Sequence, residues 1–508
     1  MDPRADVLVV GAGGSGAALA ARLSEDPARR VLVAEAGPVP RTPAGFPPDL
    51  LDARLVPGAR PASAAVRMHP AALTPGMPYM APRGRFLGGS TTVNGGYFIR
   101  ARREDFDRWA AAAGDDLWSY DRVLPLMRAL EADLDFGAGP EHGGGGPVPV
   151  GRPEPAHPAV AAFEAAAREL RHPAERDKNA QGAPGYGPVP TNTRHGRRVN
   201  TGLAYLLGAV HRPNLVVLGD CTVRSLVIEG GRATGAVAEH EGRRTVLEAA
   251  ETVLCAGALV SPHLLHLSGI GPAADLARCG IRVVHDLPPV GAALSDHPHV
   301  IVEWAPRHRL PEPSASWLGG ALHLPSSGGS AAGDLEILQS LVPLAGLVGG
   351  MTTVPGAPLP FFASVQTPRR TGGLRTLSPD PAVPPRVEYG YLETAADRRR
   401  LREAVRAAAA VAATAAFAGL SRGLAGPDAA TLADDRALDR WIRARLGTSQ
   451  HTCGTVPMGS AVDARGKVRG LEGLRVADTS ILPTAPLRGP AATAVLIGEV
   501  IARAMRED

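Results

Sequence analysis

The sequence predicts an α/β fold of two domains, in which a Rossmann-like nucleotide-binding domain is interleaved with a domain of an antiparallel sheet and helices. Three observations support this prediction. A glycine-rich turn follows an apolar strand near the N-terminus, residues 214–258 alternate like short strands separated by turns, and residues 451–508 return to short strands followed by a helix. These patterns favour two interleaved domains.

The glycine-rich turn, residues 11–16, has the sequence Gly-Ala-Gly-Gly-Ser-Gly. It follows the apolar run at residues 7–10 and opens an Ala-rich helical stretch at residues 17–23, which is the context that a dinucleotide fingerprint requires. Its glycines permit a tight turn and close backbone approach to a pyrophosphate, which the helix N-terminus would stabilise. The predicted cofactor contacts in this turn are Gly11, Gly13, Gly14, Ser15 and Gly16.

The second predicted strand, residues 31–34, ends at Glu35. A carboxylate at this place can accept hydrogen bonds from a ribose 2′-hydroxyl and would repel a 2′-phosphate. NADP is therefore disfavoured, whereas this motif alone leaves NAD and FAD open.

Composition and charge exclude several functional classes. The chain has 508 residues, 44% of them hydrophobic, and a formal net charge of +4 with dispersed Lys and Arg, so we expect no nucleic-acid partner. The four cysteines form no C-x-x-C pair, and we expect neither a metal site nor a disulfide framework. The longest apolar run, residues 341–351, is too short to span a bilayer. With no recognisable export signal, the expected location is the cytoplasm.

The domain organisation follows from changes in pattern along the chain. Residues 36–82 are rich in Pro and Ala and predict an extended excursion over the surface, and residues 214–258 predict a β-meander. Strand candidates lie around Leu335 and Phe361, before a long helical region. The predicted domains are residues 1–296, with a possible excursion into the other domain near 147–195, residues 297–445 for the substrate, and residues 446–508 as a return to the first domain.

Three separated motifs resemble the signatures of the glucose-methanol-choline (GMC) oxidoreductases. Residues 84–107, GRFLGGSTTVNGGYFIRARREDFD, are similar to the first signature, and residues 257–271 are similar to the second. Residues 451–483 look like the segment that carries the catalytic histidine. The resemblance implies an FAD-binding Rossmann-like domain, bound FAD, and oxidation of CH–OH groups. The glycine hairpin and the Val-Asn step of residues 84–107 independently suggest a flavin.

Short segments within and near these motifs, including VNGGYF and GTSQHTCGTVPMG, are most similar to the GMC branch associated with the redox peptide cofactor mycofactocin. This similarity implies a small alcohol or a reduced mycofactocin-type cofactor as electron donor, with a respiratory electron acceptor. The resemblance also implies further cofactor contacts along the pyrophosphate, the isoalloxazine and the adenine. These residues are Ala36, Arg85, Gly88, Gly89, Asn94, Gly95, Gly96, Tyr97, Val223, Asp478, Pro490 and Ala491.

His451 is the predicted catalytic base, because a neutral imidazole can take the hydroxyl proton while a hydride passes to flavin N5. His297, in the Asp-His-Pro motif, is expected to be structural or adjacent to the cofactor, and His263 and His266 are expected to pack in the core.

The chain departs from the family pattern at the second catalytic position, where relatives carry His or Asn. The matching place here is Gly489, and the residue after the Gly-Pro pair is Ala491. Either His451 works alone, or Arg488 stabilises an alkoxide or the anionic reduced flavin. A surface ion pair is the alternative for Arg488. Val93 stands where covalent members carry the FAD-linking histidine, so FAD is expected to be non-covalent.

Competing functions stay open from the sequence. A flavin-containing lyase on the same scaffold, an alcohol oxidase of secondary metabolism, and a flavin-binding electron-transfer module with an incomplete site are the alternatives to an alcohol dehydrogenase. Residues 300–445 are expected to form most of the substrate pocket, and no motif in them names the substrate.

Overall fold

The computed structural model describes residues 4–508, apart from residues 61, 153–155, 350, 352, 353, 355, 370 and 371. Within this part of the chain, two seven-stranded sheets are accompanied by a four-stranded sheet and three two-stranded ones.

The strands are β1 (Arg4–Val10), β2 (Val31–Ala34), β3 (Val66–Thr74), β4 (Met77–Gly84), β5 (Glu131–Asp133), β6 (Val148–Val150), β7 (Tyr186–Pro188), β8 (Thr193–Arg194), β9 (Arg197–Arg198), β10 (Leu215–Leu218), β11 (Thr222–Glu229), β12 (Arg232–His240), β13 (Arg243–Leu254), β14 (Ile270–Gly271), β15 (His285–Asp286), β16 (Pro298–Pro306), β17 (Leu318–Leu324), β18 (Leu335–Ser340), β19 (Leu359–Val365), β20 (Gly373–Arg375), β21 (Arg386–Glu388), β22 (Ser421–Gly426), β23 (Leu446–Thr448) and β24 (Leu474–Val476).

The α-helices are α1 (Gly14–Leu23), α2 (Pro48–Leu51), α3 (Ser90–Val93), α4 (Arg103–Ala113), α5 (Tyr120–Leu130), α6 (Pro158–Glu169), α7 (Leu207–Ala209), α8 (Ser261–Leu267), α9 (Ala273–Arg278), α10 (Leu344–Leu347), α11 (Ala395–Ala412), α12 (Ala415–Ala418), α13 (Ala429–Ala433), α14 (Asp435–Arg443) and α15 (Ala491–Glu507). Single turns of 3₁₀ helix cover Pro43–Gly45, Pro57–Ala59, Asp116–Trp118 and Thr479–Ile481, and Gly202–Leu206 form a π-helical turn.

The nucleotide-domain sheet has the order β10-β2-β1-β13-β12-β11, and β24 also pairs with β13. Strands β10, β2, β1, β13 and β24 are parallel, whereas β12 pairs antiparallel with β13 and β11 pairs antiparallel with β12. In β1, Val7 lies opposite Val31 on one side and Glu251 on the other. Helices α1 and α15 contact each other at Gly498, where an added Cβ would lie 3.0 Å from the Ala18 Cβ.

The predicted meander is only partly correct. Strands β11, β12 and β13 form it, but β10 lies at the opposite edge of the sheet, parallel to β2. Local alternation identifies a strand, but it carries no information about which edge the strand joins.

The substrate-domain sheet has the order β22-β16-β19-β18-β17-β7, with β23 beside β16, and all its pairs are antiparallel. On one face, Val302 and Phe361 are fully buried in a core shared with α11. On the other face, Ile301 and Phe362 are half-buried. This second, half-buried face carries the residues that matter for the candidate site.

Part of the segment that was predicted to leave the nucleotide domain, residues 147–195, packs with the substrate-domain sheet. Strand β7 pairs with β17, and Phe163 of α6 lies with its ring 5.3 Å from that of Phe361. The division of the chain into domains, including the excursion near residues 147–195, stays a prediction.

Residues 36–82 contain strands that the sequence did not predict. Strands β3 and β4 form a hairpin and join β21 and β20 in a four-stranded sheet. Pro70, Pro78 and Pro82 interrupt the alternation of these strands, and proline is unfavourable inside a central strand.

Among the described residues, none of the helices is both long and apolar enough to cross a membrane.

Candidate active site

The first glycine turn, between β1 and α1, has a backbone that excludes side chains. Gly11 has a φ of 103°, and a Cβ there would lie 2.7 Å from the Cys255 carbonyl oxygen. A Cβ on Gly16 would overlap the Gly11 carbonyl. The Ser15 hydroxyl donates to the Ala494 carbonyl at 2.6 Å, so it holds α15 against the turn. Ser15 is therefore available to a ligand through its backbone rather than its hydroxyl.

The second glycine turn lies directly against the first. The Gly88 N–H donates to the Ala12 carbonyl at 2.9 Å, and a Cβ on Gly89 would lie 2.7 Å from the Gly13 Cα. Gly14 faces the side chain of Thr91. Two motifs more than 70 residues apart thus form one backbone-lined cradle, of the kind that a pyrophosphate needs.

Glu35 closes one end of this cradle, at the end of β2. Its two carboxylate oxygens accept hydrogen bonds from the Ala12 and Gly37 N–H groups, both at 2.9 Å. The side chain is 5% exposed, and burial raises the pKa of Glu35 to about 7. Further donors, such as ribose hydroxyls, would favour the charged form, because a carboxylate can accept more bonds than these two.

Strand β11 begins close to Glu35. The Cys221 N–H donates to the Glu35 carbonyl at 2.8 Å, and Val223 follows as a buried residue of β11. On the other side, the exposed Arg85 donates from Nε to the Ala36 carbonyl at 2.9 Å. The predicted adenosine contacts are therefore brought to the same end of the cradle.

Asp478 joins the second signature to the C-terminal segment. Its Oδ2 accepts from the Gly257 N–H at 2.9 Å and from the Ser261 hydroxyl, and Oδ1 accepts from the Ser480 N–H at 2.9 Å. Burial raises the pKa of Asp478. Protein donors thus occupy both oxygens of Asp478, and a direct cofactor contact stays a prediction.

The segment from Asn94 to Tyr97 bridges the two domains. Asn94 Oδ1 accepts from the Gly96 N–H at 3.0 Å, and the Gly95 carbonyl accepts from the indole N–H of Trp317 at 2.9 Å. The Tyr97 hydroxyl donates to Glu336 Oε2 at 3.1 Å. The predicted isoalloxazine segment therefore lies against the substrate-domain sheet.

His451, in the loop after β23, is held by its backbone and by one ring nitrogen. Its N–H donates to Asp296 Oδ1 at 2.8 Å, while the Thr452 hydroxyl donates to Asp296 Oδ2 at 2.7 Å. The Nδ1 atoms of His451 and His297 are 2.8 Å apart, and His297 Nε2 is 2.9 Å from the Pro486 carbonyl oxygen.

These contacts define the tautomer of both rings. A carbonyl only accepts, so His297 Nε2 carries a proton and, in the neutral ring, its Nδ1 carries a lone pair. His451 must then donate from Nδ1, which leaves the lone pair on His451 Nε2. His297 thus lies in direct contact with the predicted base, a contact that the sequence pattern did not indicate.

The electrostatic surroundings keep His451 neutral. Burial, followed by the neighbouring His297, holds the pKa of His451 well below its ordinary value, while Glu336 acts in the opposite direction. Burial likewise lowers the pKa of His297. Near neutral pH, His451 is therefore unprotonated and can accept a proton at Nε2.

Gly489 lies at the free edge of the His451 ring. A Cβ on Gly489 would be 3.3 Å from Cε1 and 3.5 Å from Nε2 of His451. Gly489, the position at which the family pattern predicts a second catalytic side chain, thus faces the base and carries no side chain. Pro490 and Ala491 follow as the N-cap and first residue of α15, whose leading N–H groups have no partner inside the helix.

Arg488 is fully buried, so the alternative of a surface ion pair is wrong. Its Nη1 donates to the Gly333 and Leu487 carbonyls at 2.9 and 2.7 Å, and Nη2 donates to the Ala332 carbonyl at 3.0 Å. Its Nε has no partner among the described residues. The guanidinium therefore ties the C-terminal segment to the residues just before β18, and its Nη2 also lies 4.0 Å from Glu175 Oε1 in a long, buried ion pair.

Comparison with known proteins identifies the fold and its chemistry. A family model described as GMC oxidoreductase matches residues 5–299, and a second with the same description matches residues 368–498. The chain belongs to the GMC oxidoreductase family. It is an FAD-dependent oxidoreductase that acts on alcohol-type substrates.

Several relatives of this GMC oxidoreductase match over nearly the full length. It is 38% identical to an uncharacterized GMC-type oxidoreductase in the thcA 5′ region of Rhodococcus erythropolis, over 97% of each chain. It is 34% identical to an oxygen-dependent choline dehydrogenase of Klebsiella pneumoniae, covering 99% of this chain and 96% of the relative. The solved structure of pyridoxine 4-oxidase from Mesorbium loti matches with a TM-score of 0.90 and 29% identity, over 99% of each chain.

This GMC oxidoreductase also carries a buried ionic network behind Glu336 that sequence reasoning missed. Glu336 Oε2 accepts from His323 Nε2 at 2.9 Å, and Lys178 Nζ lies 3.1 Å from His323 Nδ1. Lys178 also donates to Glu175 Oε2 at 2.7 Å. The signal in the sequence is a charged residue within an apolar strand, as in Leu335–Ser340. The members are too far apart in the chain for a motif to reveal them.

Other sequence predictions concern residues outside the site. His263 Nδ1 lies 2.8 Å from the Thr376 hydroxyl, and His266 Nε2 lies 3.1 Å from the Val290 carbonyl, so both rings are buried and hydrogen-bonded within the protein.

Glu131, Asp133 and His142 form a compact group of possible metal ligands. Arg100 and Arg152 pair with its carboxylates, and these positive charges disfavour a cation there.

Proposed function

We propose that this protein oxidises an alcohol by removing its hydroxyl proton with His451 while hydride leaves the carbon. The observation that carries the proposal is the hydrogen-bond chain from the Pro486 carbonyl through His297 to His451 Nδ1. This chain leaves the Nε2 lone pair facing the space beside Gly489, where a hydroxyl can approach.

The glycine cradle fits FAD. Its two turns contact through backbone atoms, and added side chains would fill it. Gly13 and Gly89 would hold the pyrophosphate, Glu35 the adenosine ribose, and the residues from Asn94 to Tyr97 the ring. When bound, FAD supplies the hydride acceptor, flavin N5.

The fully buried Arg488 places a positive charge next to Gly489, the residue that faces the His451 ring. Backbone carbonyls take both N–H groups of Nη1 and one N–H of Nη2, and Nη2 also lies 4.0 Å from Glu175 Oε1. The Nε–H, which has no partner among the described residues, can donate toward a ligand. A buried guanidinium favours negative charge developing nearby, on an alkoxide or on the reduced flavin.

The proposed electron donor is a small-molecule alcohol. Reduced mycofactocin as this donor, with a respiratory electron acceptor, stays a prediction.

The purified holoenzyme, mixed anaerobically with candidate alcohols or reduced mycofactocin, should lose its yellow colour as the flavin is reduced. His451→Ala should bind FAD normally and bleach at least 100-fold more slowly. Turnover of substrate without bleaching would instead support the lyase alternative, and unchanged bleaching in the variant would refute the role of His451.

A further inference from the structure

The face of the substrate-domain sheet that carries Ile301 and Phe362 is arranged in two rows of side chains. The first row is polar and begins two residues after His297; it consists of His299, Ser364, Glu336 and His323. The second row is apolar and lies two residues farther along the strands; it consists of Ile301, Phe362, Leu338 and Ala321. Two residues along a strand span about 7 Å, which is roughly the width of one six-membered ring with its substituent.

Aromatic contacts connect the second row to the proposed flavin segment. The Phe362 ring lies 5.5 Å from the His299 ring and 5.9 Å from the Trp317 ring, both edge to face. Trp317 in turn donates its indole N–H to the Gly95 carbonyl. The apolar row therefore continues directly from the polar row near His451.

Within the apolar row, Ile301 and Phe362 are half-buried, whereas the protein itself buries Leu338 and Ala321. A small core cluster, separate from the two large ones, contains Trp317, Leu338 and Leu347. Val56, Tyr97, Val342, Leu344 and Phe362 pack against it but stay half-buried. Half-buried apolar groups on the inner face of a sheet leave area that a flat apolar ligand can cover.

The one carboxylate of the first row is already satisfied. Glu336 accepts from Tyr97, from His323 and, at 3.4 Å, from the Gln366 side-chain amide. Lys178 lies behind His323 and provides positive charge. Glu336 is thus paired within the protein rather than left to bind a cationic substrate, and no acidic residue stands in the second row.

We propose that the substrate is an uncharged alcohol whose hydroxymethyl group is carried by an aromatic or similarly flat apolar body. The hydroxyl lies at His451 Nε2, and the body lies over Ile301 and Phe362. This inference rests on the proposed function, because it takes His451 as the place where the hydroxyl reacts.

Anaerobic stopped-flow reduction of the holoenzyme by benzyl alcohol, choline and ethanol tests the inference. The second-order rate constant for flavin reduction should be at least 100-fold higher with benzyl alcohol than with either of the others. A rate with choline equal to or above that with benzyl alcohol would overturn the substrate class while leaving the proposed function intact.

A binding experiment distinguishes failure of the inferred substrate pocket from failure of the proposed alcohol oxidation. Should no alcohol reduce the flavin, the proposed function fails, and titration with benzaldehyde still tests the pocket by the shift of the flavin absorbance. A saturable shift with benzaldehyde and none with betaine aldehyde supports the inferred pocket. The reverse pattern, or a shift with neither, contradicts it.

Two neighbouring phenylalanines on opposite faces of β19 give a matched pair of variants. Phe362→Leu should lower the preference for benzyl alcohol over ethanol at least fivefold, with FAD content unchanged. Phe361→Leu alters the fully buried face toward α11 and should lower thermal stability without changing that preference. An equal preference ratio in both variants would show that Phe362 does not contact the substrate.

Discussion

The contact between His451 and His297 determines which nitrogen of the proposed base is free. Without His297, the neutral His451 ring can adopt either tautomer, and one of them places a proton on Nε2, where it blocks proton abstraction. We expect His297→Ala to lower kcat about 100-fold while FAD stays bound. His297→Asn should recover part of this loss, because an amide can donate to the Pro486 carbonyl and accept from His451 Nδ1. Equal activity of both variants, measured as steady-state turnover, would contradict the tautomer argument.

Glu336 opposes the effect of burial on His451, since its negative charge raises the pKa of the imidazole. The base must be neutral to work, so kcat/KM falls as the pH drops below the pKa of His451. Removing the charge in Glu336→Gln lowers that pKa further and makes a protonated His451 more costly. The acidic limb of the pH profile of kcat/KM should therefore move to lower pH, and the plateau should fall about tenfold. A lower plateau with an unmoved limb would indicate a merely structural role.

The helices and strands that the sequence predicted correctly are those whose pattern lies within a short stretch of the chain. Strand β1, the glycine turn and helix α15 follow from apolar runs and glycine spacing, and β18 and β19 were placed around Leu335 and Phe361. The position of β10 at the far edge of its sheet depends on long-range pairing, and no local pattern contains it. The ionic network behind Glu336 likewise exists only once residues 175–178 have packed against β17 and β18.

The contact between α1 and α15 explains how the C-terminal helix supports the cofactor cradle. A Cβ at Gly498 would overlap the Ser15 carbonyl at the start of α1. We expect Gly498→Leu to push the helices apart, distort the glycine turn and lower FAD content at least tenfold. FAD absorbance per protein in the purified variant measures this effect. Arg503→Ala, which changes an exposed position of the same helix, should keep full FAD content.

Both ends of the chain contribute to the nucleotide domain, since β24 lies in the same sheet as β1 and α15 contacts the first glycine turn, so cofactor binding should stabilise this entire domain. Val93, which cannot form a covalent bond to the flavin, predicts that FAD is dissociable. Acid precipitation should release the yellow colour into the supernatant, and colour kept in the pellet would contradict this. A dissociable cofactor makes it possible to compare the apo- and holoprotein directly.

That comparison should depend on pH through Glu35. Its pKa is about 7 in the folded protein without ligand, against an ordinary value of 4.5. Between these values the folded state binds more protons than the unfolded state, so the free energy of unfolding falls as pH rises from about 4.5 to 7, by at most about 3 kcal/mol. Ribose hydroxyls donating to Glu35 would stabilise its charged form and reduce this loss. We therefore expect the Tm difference between holo- and apoprotein to grow from pH 5 to pH 8, and the growth to disappear in Glu35→Gln. A Tm difference that stays constant with pH in the wild-type protein would show that Glu35 does not bind the cofactor.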